Sequence, residues 1–228
     1  MKLLAIDTST EACSAALLID GEVRERFRLA PREHTRLILP MIDELMSDSG
    51  LKLGALDAVA FGRGPGAFTG LRIAAGVIQG IAFAADLPVA PVSSLAALAL
   101  GWHRETGATR VLAAMDARIQ EVYWGAYQCE LPGEIRIIGD EVVCSPGEVP
   151  FPDGEDWYGV GSGWATYRAD LQTRLAGTLS GWEAQRYPRA HDVALLAVAA
   201  VDRKETVSAE HALPVYLRND VAVKQFRG

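Results

Sequence analysis

One short pattern occurs twice, and it constrains the fold more than any other feature of the chain. Leu3, Ala5 and Asp7 close an apolar run near the start, and Leu112, Ala114 and Asp116 repeat that placement in the second half. Each time an apolar strand ends in an aspartate, a polar turn follows, and an alternating strand comes next. After the first copy, CSAALLI leads into Asp20-Gly21, a strong hairpin signal, and EVRERFRL supplies a third strand. After the second copy, EVYWGAYQC and GEIRIIGDEVV take the same two places.

The first half then continues past a break at Pro31. In REHTRLILPMIDELMSDSG, Leu37, Ile38, Met41, Ile42, Leu45 and Met46 recur at helical spacing and Gly50 supplies a stop. Pro40 should kink that helix or mark where its regular part begins. LDAVAF is a strand, Thr69 is the expected N-cap of a helix running to about Ala85, and LPVAPV is a further strand. The order is β-β-β-α-β-α-β. In the second half WYGVGSG is a strand meeting a glycine loop, with WATYRADLQTRL and AHDVALLAVAAV as helices behind it. Two related units joined near Trp102 to Gly107 are expected: an N-terminal lobe over 1–104 and a C-terminal lobe over 105–228, whose tail VYLRNDVAVKQFRG folds back across the first lobe. A duplicated unit of this kind is the plan of the two-lobed α/β superfold of actin, sugar kinases and heat-shock ATPases, which is ribonuclease H-like. There an aspartate ending the first strand and nearby loops handle nucleotide phosphate and metal. Fold does not settle function, so the site must.

Composition removes several classes. A net charge of −7 repels a polyanion on average, which argues against tight unaided binding of nucleic acid. The local exception is VRERFRL, where Arg24, Arg26 and Arg28 project from one strand face and form a candidate RNA contact. Cys13, Cys129 and Cys144 are too few and too scattered for a disulfide framework or a metal clip. The longest apolar run, Ile73 to Ala85, contains Gln79 and falls short of the ~20 residues a bilayer span needs. The expectation is a cytoplasmic protein with no membrane association.

GRGPGAFTG, from Gly62 to Gly70, sits between a strand and a helix, the layout of a phosphate loop. It carries no lysine to reach terminal phosphates, and no acidic ribose ligand closes the next strand, which ends in Val92-Ser93-Ser94. What survives is a vestigial anion site built from Asp7, Gly64, Gly66 and Thr69, with Asp7 and Asp116 as water-mediated magnesium ligands or as ordinary turn residues. No metal site is expected: His34, His103, His191 and His211 never fall at ligand spacing. Ser162 in GVGSG lacks the spacing of a nucleophile elbow.

The helix after the loop is more informative. LRIAAGVIQGIAFAA is apolar around nearly its whole circumference, so it needs cover on two sides. Leu71, Ala74, Ile78, Ile81 and Ala85 can face the sheet. Ile73, Val77, Gly80 and Ala84 then form a small-residue stripe for a second helix, from this chain or from another.

IDTST, REHTRLILP, FGRGPGAFTGLRIAAGVIQGIA, DARIQEVYWG and PVYLRNDVA together resemble the bacterial TsaB (YeaZ) family over essentially all 228 residues. The resemblance implies a non-catalytic subunit needed for threonylcarbamoylation of the anticodon-adjacent adenosine of tRNA. It would bind and activate a TsaD-like catalytic subunit together with a TsaE-like ATPase, meet tRNA only through that complex, and form a homodimer when alone. ATP and metal would belong to the partner subunits, leaving none to this chain. The partner surface implied lies on the two N-terminal-lobe helices, at Leu37, Met41, Leu45, Ile73, Ala74, Val77, Gly80 and Ala84. Where TsaD is expected to carry an Asn-His-Leu-Glu-Gly-His metal segment, this chain has Ser93-Ser94-Leu95-Ala96-Ala97-Leu98, with Ser94 and Leu98 at the ligand positions. The competing readings are an ATP-dependent phosphotransferase or ATPase of the same superfold, and an RNA-binding module using the three arginines.

Overall fold

The computed structural model describes residues 1–131 and 134–218. Two five-stranded sheets form its frame. In the first, β1 (Lys2–Asp7), β2 (Ala12–Ile19) and β3 (Glu22–Leu29) make an antiparallel meander, and β4 (Ala58–Gly64) and β5 (Val89–Ser93) add in parallel, giving the order β3-β2-β1-β4-β5. The second sheet uses β6 (Arg110–Arg118), β7 (Glu121–Leu131), β8 (Glu134–Cys144), β9 (Trp157–Val160) and β10 (Leu179–Glu183) in the order β8-β7-β6-β9-β10. Strand for strand, with the same parallel and antiparallel pairings, it repeats the first. The expected two-lobed α/β duplication is therefore present. Asp20 and Gly21 both hold positive φ, the conformation a two-residue hairpin turn demands.

The helices depart from a simple repeat. In the first half α1 (His34–Ser49), α2 (Phe68–Ala85) and α3 (Ser94–Thr106) follow their strands. In the second, the place of α1 holds only the 3-10 turn Pro146–Glu148, because Pro146, Pro150 and Pro152 deny the backbone donors a helix needs. Two short helices, α4 (Ser162–Thr166) and α5 (Arg168–Arg174), precede β10, and α6 (Ala190–Asp202) follows it. The strand LSGWE escapes sequence reading because Gly181 interrupts its apolar run; that glycine admits the Tyr158 ring at 2.7 Å from where a Cβ would stand.

Leu3, Leu4, Ala5 and Ile6 are all fully buried, so β1 must be covered on both faces. One face receives α1 and α2, with Ile38, Ile42, Leu45 and Ile78 packed on Leu4, Ile6, Val59 and Phe61. Each such side chain contributes about 1.5–3 kcal/mol. The other face receives α6, whose Val193, Ala194 and Ala197 meet Leu3, Ala5, Ala58 and Ala60. Meanwhile α3 leaves the first sheet and packs Leu95, Leu98 and Ala99 on Val111, Ala113 and Met115 of the second. Thus the strands divide on either side of residue 104, but each sheet borrows a helix from the other half of the chain.

Two expectations about helix ends change. α1 runs from His34 straight through Pro40, so the proline does not mark its start. α2 begins at Phe68 with Ala67 in the cap position and no side-chain cap; Thr69 lies exposed in the first turn instead of capping it. Gly50 ends α1 in the left-handed conformation, as a helix stop should. By length and composition α2 could cross a bilayer; 33% of it is buried, with Leu71, Ala74, Ala75, Ile78 and Ala82 turned inward.

Candidate functional site

The glycine loop packs on the turn after β1. Thr8 Oγ1 donates to the carbonyl oxygen of Gly70 at 2.7 Å, and the Ala67 amide donates to the carbonyl oxygen of Ser9 at 2.7 Å. A Cβ on Gly62 would collide with the Asp7 carboxylate, one on Gly66 with the Ser9 carbonyl, and one on Gly70 with the Thr8 carbonyl. These glycines are needed for contact between two stretches of backbone. Asp7 itself has no exposed surface; its Oδ1 accepts from the Ser9 amide at 2.9 Å and the Ser9 hydroxyl at 2.7 Å. Burial pushes its pKa up to about 6, against the lowering effect of the Ser9 and Ser94 hydrogen bonds.

The matching Asp116 is equally committed. Its Oδ1 accepts from the Arg118 amide at 2.8 Å and the Tyr167 hydroxyl at 3.0 Å, while Oδ2 pairs with the Arg118 guanidinium at 3.2 Å. Arg118 also reaches Glu11 at 3.7 Å, joining the turn after β6 to the turn after β1. The C-terminal segment adds a second tie. The Val215 amide donates to the Arg63 carbonyl at 2.8 Å, and the Val215 carbonyl lies 2.8 Å from where a Gly64 Cβ would be. Arg218 then contacts the Ala117 carbonyl at 3.0 Å and pairs with Glu121. Of the tail, Val215 and Tyr216 meet Arg63 and Arg72 of the first half while Arg218 meets the second, and residues 219–228 lie outside the described residues. With Asp7 buried, Asp116 engaged and the loop filled by Thr8 and Ser9, this end of the molecule does not fit a nucleotide phosphate with magnesium. Among the described residues, no three of His, Cys, Asp and Glu gather as a metal set.

The outer side of α2 is different. Its own chain covers it along two edges, with α1 on one and Ala209 to Tyr216 on the other, where Gln79 donates to the Ala212 carbonyl at 3.2 Å. Between them Gly76, Gly80 and Ala84 stand exposed at four-residue intervals, and no atom lies within 4 Å of a Cβ placed on either glycine. Phe83 beside them is 84% exposed. Ile73 and Val77 are half-buried at the edge, as is Leu37 on α1. Met41, Leu45 and Ala74 are buried in the chain's own core and cannot serve that surface. Helical spacing alone gives each stripe about equal claim to the outside; only the placement of the sheet separates them. Phe83 and Gly76 join the surface although the sequence reading does not select them, and the interval from Gly76 through Gly80 to Ala84 is the signal that could have found the glycine.

The family model for TsaD, tRNA N6-adenosine threonylcarbamoyltransferase, matches residues 28–226. The tRNA threonylcarbamoyladenosine biosynthesis protein TsaB of Escherichia coli is 46% identical, covering 100% of this chain and 99% of its own. That of Haemophilus influenzae is 44% identical, over 100% and 98%. The chain belongs to the TsaB family. A solved structure, YeaZ from Pseudomonas aeruginosa, superposes with a TM-score of 0.88 at 50% identity, covering 95% of this chain and 99% of that one.

Within this TsaB-family chain, the segment Ser93 to Leu98 serves packing. Ser94 is buried with its hydroxyl 3.5 Å from Asp7 Oδ2, and Leu98 lies in the core of the second sheet. The three strand arginines do not act together: Arg26 is held by Glu44 at 3.1 Å and by Asp48 on α1, whereas Arg24 and Arg28 are exposed. Ser162 accepts from the Asp116 amide at 3.1 Å, a structural bond between the start of α4 and β6.

Proposed function

We propose that the chain is a non-catalytic, cytoplasmic subunit of tRNA threonylcarbamoyladenosine biosynthesis. It binds a TsaD-like catalytic subunit through the outer face of α2 and holds it in an active arrangement, with a TsaE-like ATPase acting in the same assembly. ATP and metal are supplied by those partners, and tRNA is met only through the complex. The observation that carries this reading is the uncovered stripe of Gly76, Gly80 and Ala84 beside Phe83. Glycine inside a helix costs about 1 kcal/mol relative to alanine, and among the described residues no other element uses the space at these two positions. A helix from another chain would: small residues let two backbones approach, and Phe83 supplies the anchor that interfaces favour. Without the TsaD-like partner, a second copy covers the same face as a homodimer.

The ATPase reading is disfavoured by the filled glycine loop and by the engagement of Asp7 and Asp116 with groups of their own chain. Both readings meet in one pair of measurements. Mixed with a TsaD-like protein, the chain should elute as a complex, and Phe83→Asp should abolish that complex while leaving the fold intact. Calorimetric titration of magnesium-ATP into the isolated chain should show no binding tighter than about 10 μM, near −6.8 kcal/mol. Tight ATP binding with no complex would reverse the assignment.

A further inference from the structure

The turn between β6 and β7 holds its backbone in an unfavourable form. Arg118, Ile119 and Gln120 all have positive φ, at 63°, 53° and 59°. Arg118 pairs with Glu121 across the hairpin, so Ile119 and Gln120 are the two central residues of a turn whose left-handed geometry suits Asn-Gly. A β-branched side chain is among the worst choices there, because it crowds the backbone of a left-handed residue. Yet Ile119 stands 76% exposed, outside the chain's hydrophobic cores.

Neighbouring groups hold this strained tip in place. The Arg118 amide donates to Asp116 Oδ1 at 2.8 Å, and its guanidinium pairs with Asp116 at 3.2 Å and with Glu11 at 3.7 Å. From the C-terminal segment, Arg218 donates to the carbonyl oxygens of Ala117 at 3.0 Å and Arg118 at 3.4 Å, and it pairs with Glu121. Strained backbone persists only where its surroundings over-determine it, and it gathers where a protein acts on or grips something else. We propose that Ile119 is a rigid apolar knob that enters a pocket on the TsaD-like partner, a role that rests on that partner also covering α2. A side chain fixed before contact loses little freedom on binding.

Two observations favour a protein pocket on that partner. Arg118 and Arg218 are already paired with carboxylates, so the tip offers an apolar summit between spent charges, which suits an apolar pocket better than a phosphate. The tip is also joined to α2. Two residues before Arg218, Tyr216 packs against Phe68 in the first turn of α2 with ring centres 5.4 Å apart, and Arg72 lies over the Phe68 ring at 3.9 Å. Phe68 and Tyr216 are themselves exposed, so apolar surface continues from the open stripe of α2 past its N-terminus, into the segment that clamps the hairpin.

The test follows melting and binding in the same variants, with the full chain and a TsaD-like protein. Ile119→Asn suits the turn and removes the knob. The isolated chain should then melt about 2–6 °C higher, while partner binding weakens about 10-fold or more. Ile119→Met keeps an apolar side chain without the β branch and should hold the affinity within about 3-fold. Phe83→Asp separates the knob from the α2 surface. If the wild type forms a complex that Phe83→Asp abolishes and Ile119→Asn leaves at full strength, the knob is refuted and α2 stands. A complex weakened by Ile119→Asn and indifferent to Phe83→Asp keeps the knob and removes α2, and no complex at all removes both. A lower melting temperature for Ile119→Asn overturns the proposal, since the isoleucine would then be serving its own fold. So does weaker tRNA binding by the assembled complex with unchanged affinity between the two proteins, which assigns the tip to RNA.

Discussion

Gly62 packs against the Asp7 carboxylate with no room for a side chain between them. The contact joins the glycine loop to the turn after β1, and Gly70 repeats it against the Thr8 carbonyl. Gly62→Ala and Gly70→Ala should each destabilise the chain by about 2–4 kcal/mol, because the obstacle is a buried carboxylate or backbone and not the end of a flexible side chain. Urea unfolding measures this. A loss below about 1 kcal/mol in both would mean that the loop has slack and retains space for an anion.

Asp7 gives the chain a distinctive pH dependence. Its carboxyl titrates at about 6 in the folded protein against an ordinary value of 3.8, chiefly because burial penalises the charged form. A group raised in the folded state stabilises below its unfolded pKa, and that stability is lost as pH rises through the folded one. Relative to Asp7→Asn, the wild type should therefore lose about 3 kcal/mol between pH about 4 and about 7. Asp192, also pushed up to about 6, cancels in the comparison because both proteins carry it. A constant difference between the two unfolding free energies across that range would show that Asp7 is not desolvated.

Much of this architecture is legible in the residues. The echo of Leu3, Ala5 and Asp7 in Leu112, Ala114 and Asp116 announces two sheets of one plan, because apolar alternation and hairpin turns are local signals. The exchange of α3 and α6 is not legible, since an apolar helix does not name the sheet it will cover. Nor is the face of α2 that stays open: Ala74 and Val77 look alike in a helical projection, and only the position of the first sheet and of Ala212 decides between them. The glycine loop shows the same limit. Its spacing suits a phosphate or a backbone neighbour equally, and the neighbour, Ser9, lies far away in the chain.

That distinction separates two charge insertions on α2. Val77→Glu puts a carboxylate at the half-buried edge, where it can reach water; the chain should fold, with its melting temperature shifted by a few degrees at most. Binding to a TsaD-like partner should fall by about 100-fold or more, since the charge would be desolvated in the complex. Ala74→Glu places the same group at a position with no exposure and should unfold the chain or leave it aggregated. Circular dichroism together with co-purification sorts the outcomes. If Val77→Glu folds and still assembles, the contact surface lies elsewhere.

The glycines of the open stripe allow a test in which stability and binding move in opposite directions. Gly76 and Gly80 sit inside α2, are exposed, and have nothing within 4 Å of the point where a methyl group would stand. Alanine at either position removes backbone freedom from the unfolded chain without meeting an obstacle, so Gly76→Ala and Gly80→Ala should each stabilise the isolated protein by about 0.5–1 kcal/mol. In a complex the same methyl groups would stand between two closely packed helices, and overpacking there costs about 1–3 kcal/mol. The double variant should melt higher than the wild type yet bind a TsaD-like partner about 10-fold to 100-fold less tightly. Added stability with unchanged affinity would mean that no helix approaches this stripe, and a loss of stability would mean that the chain's own fold already fills it.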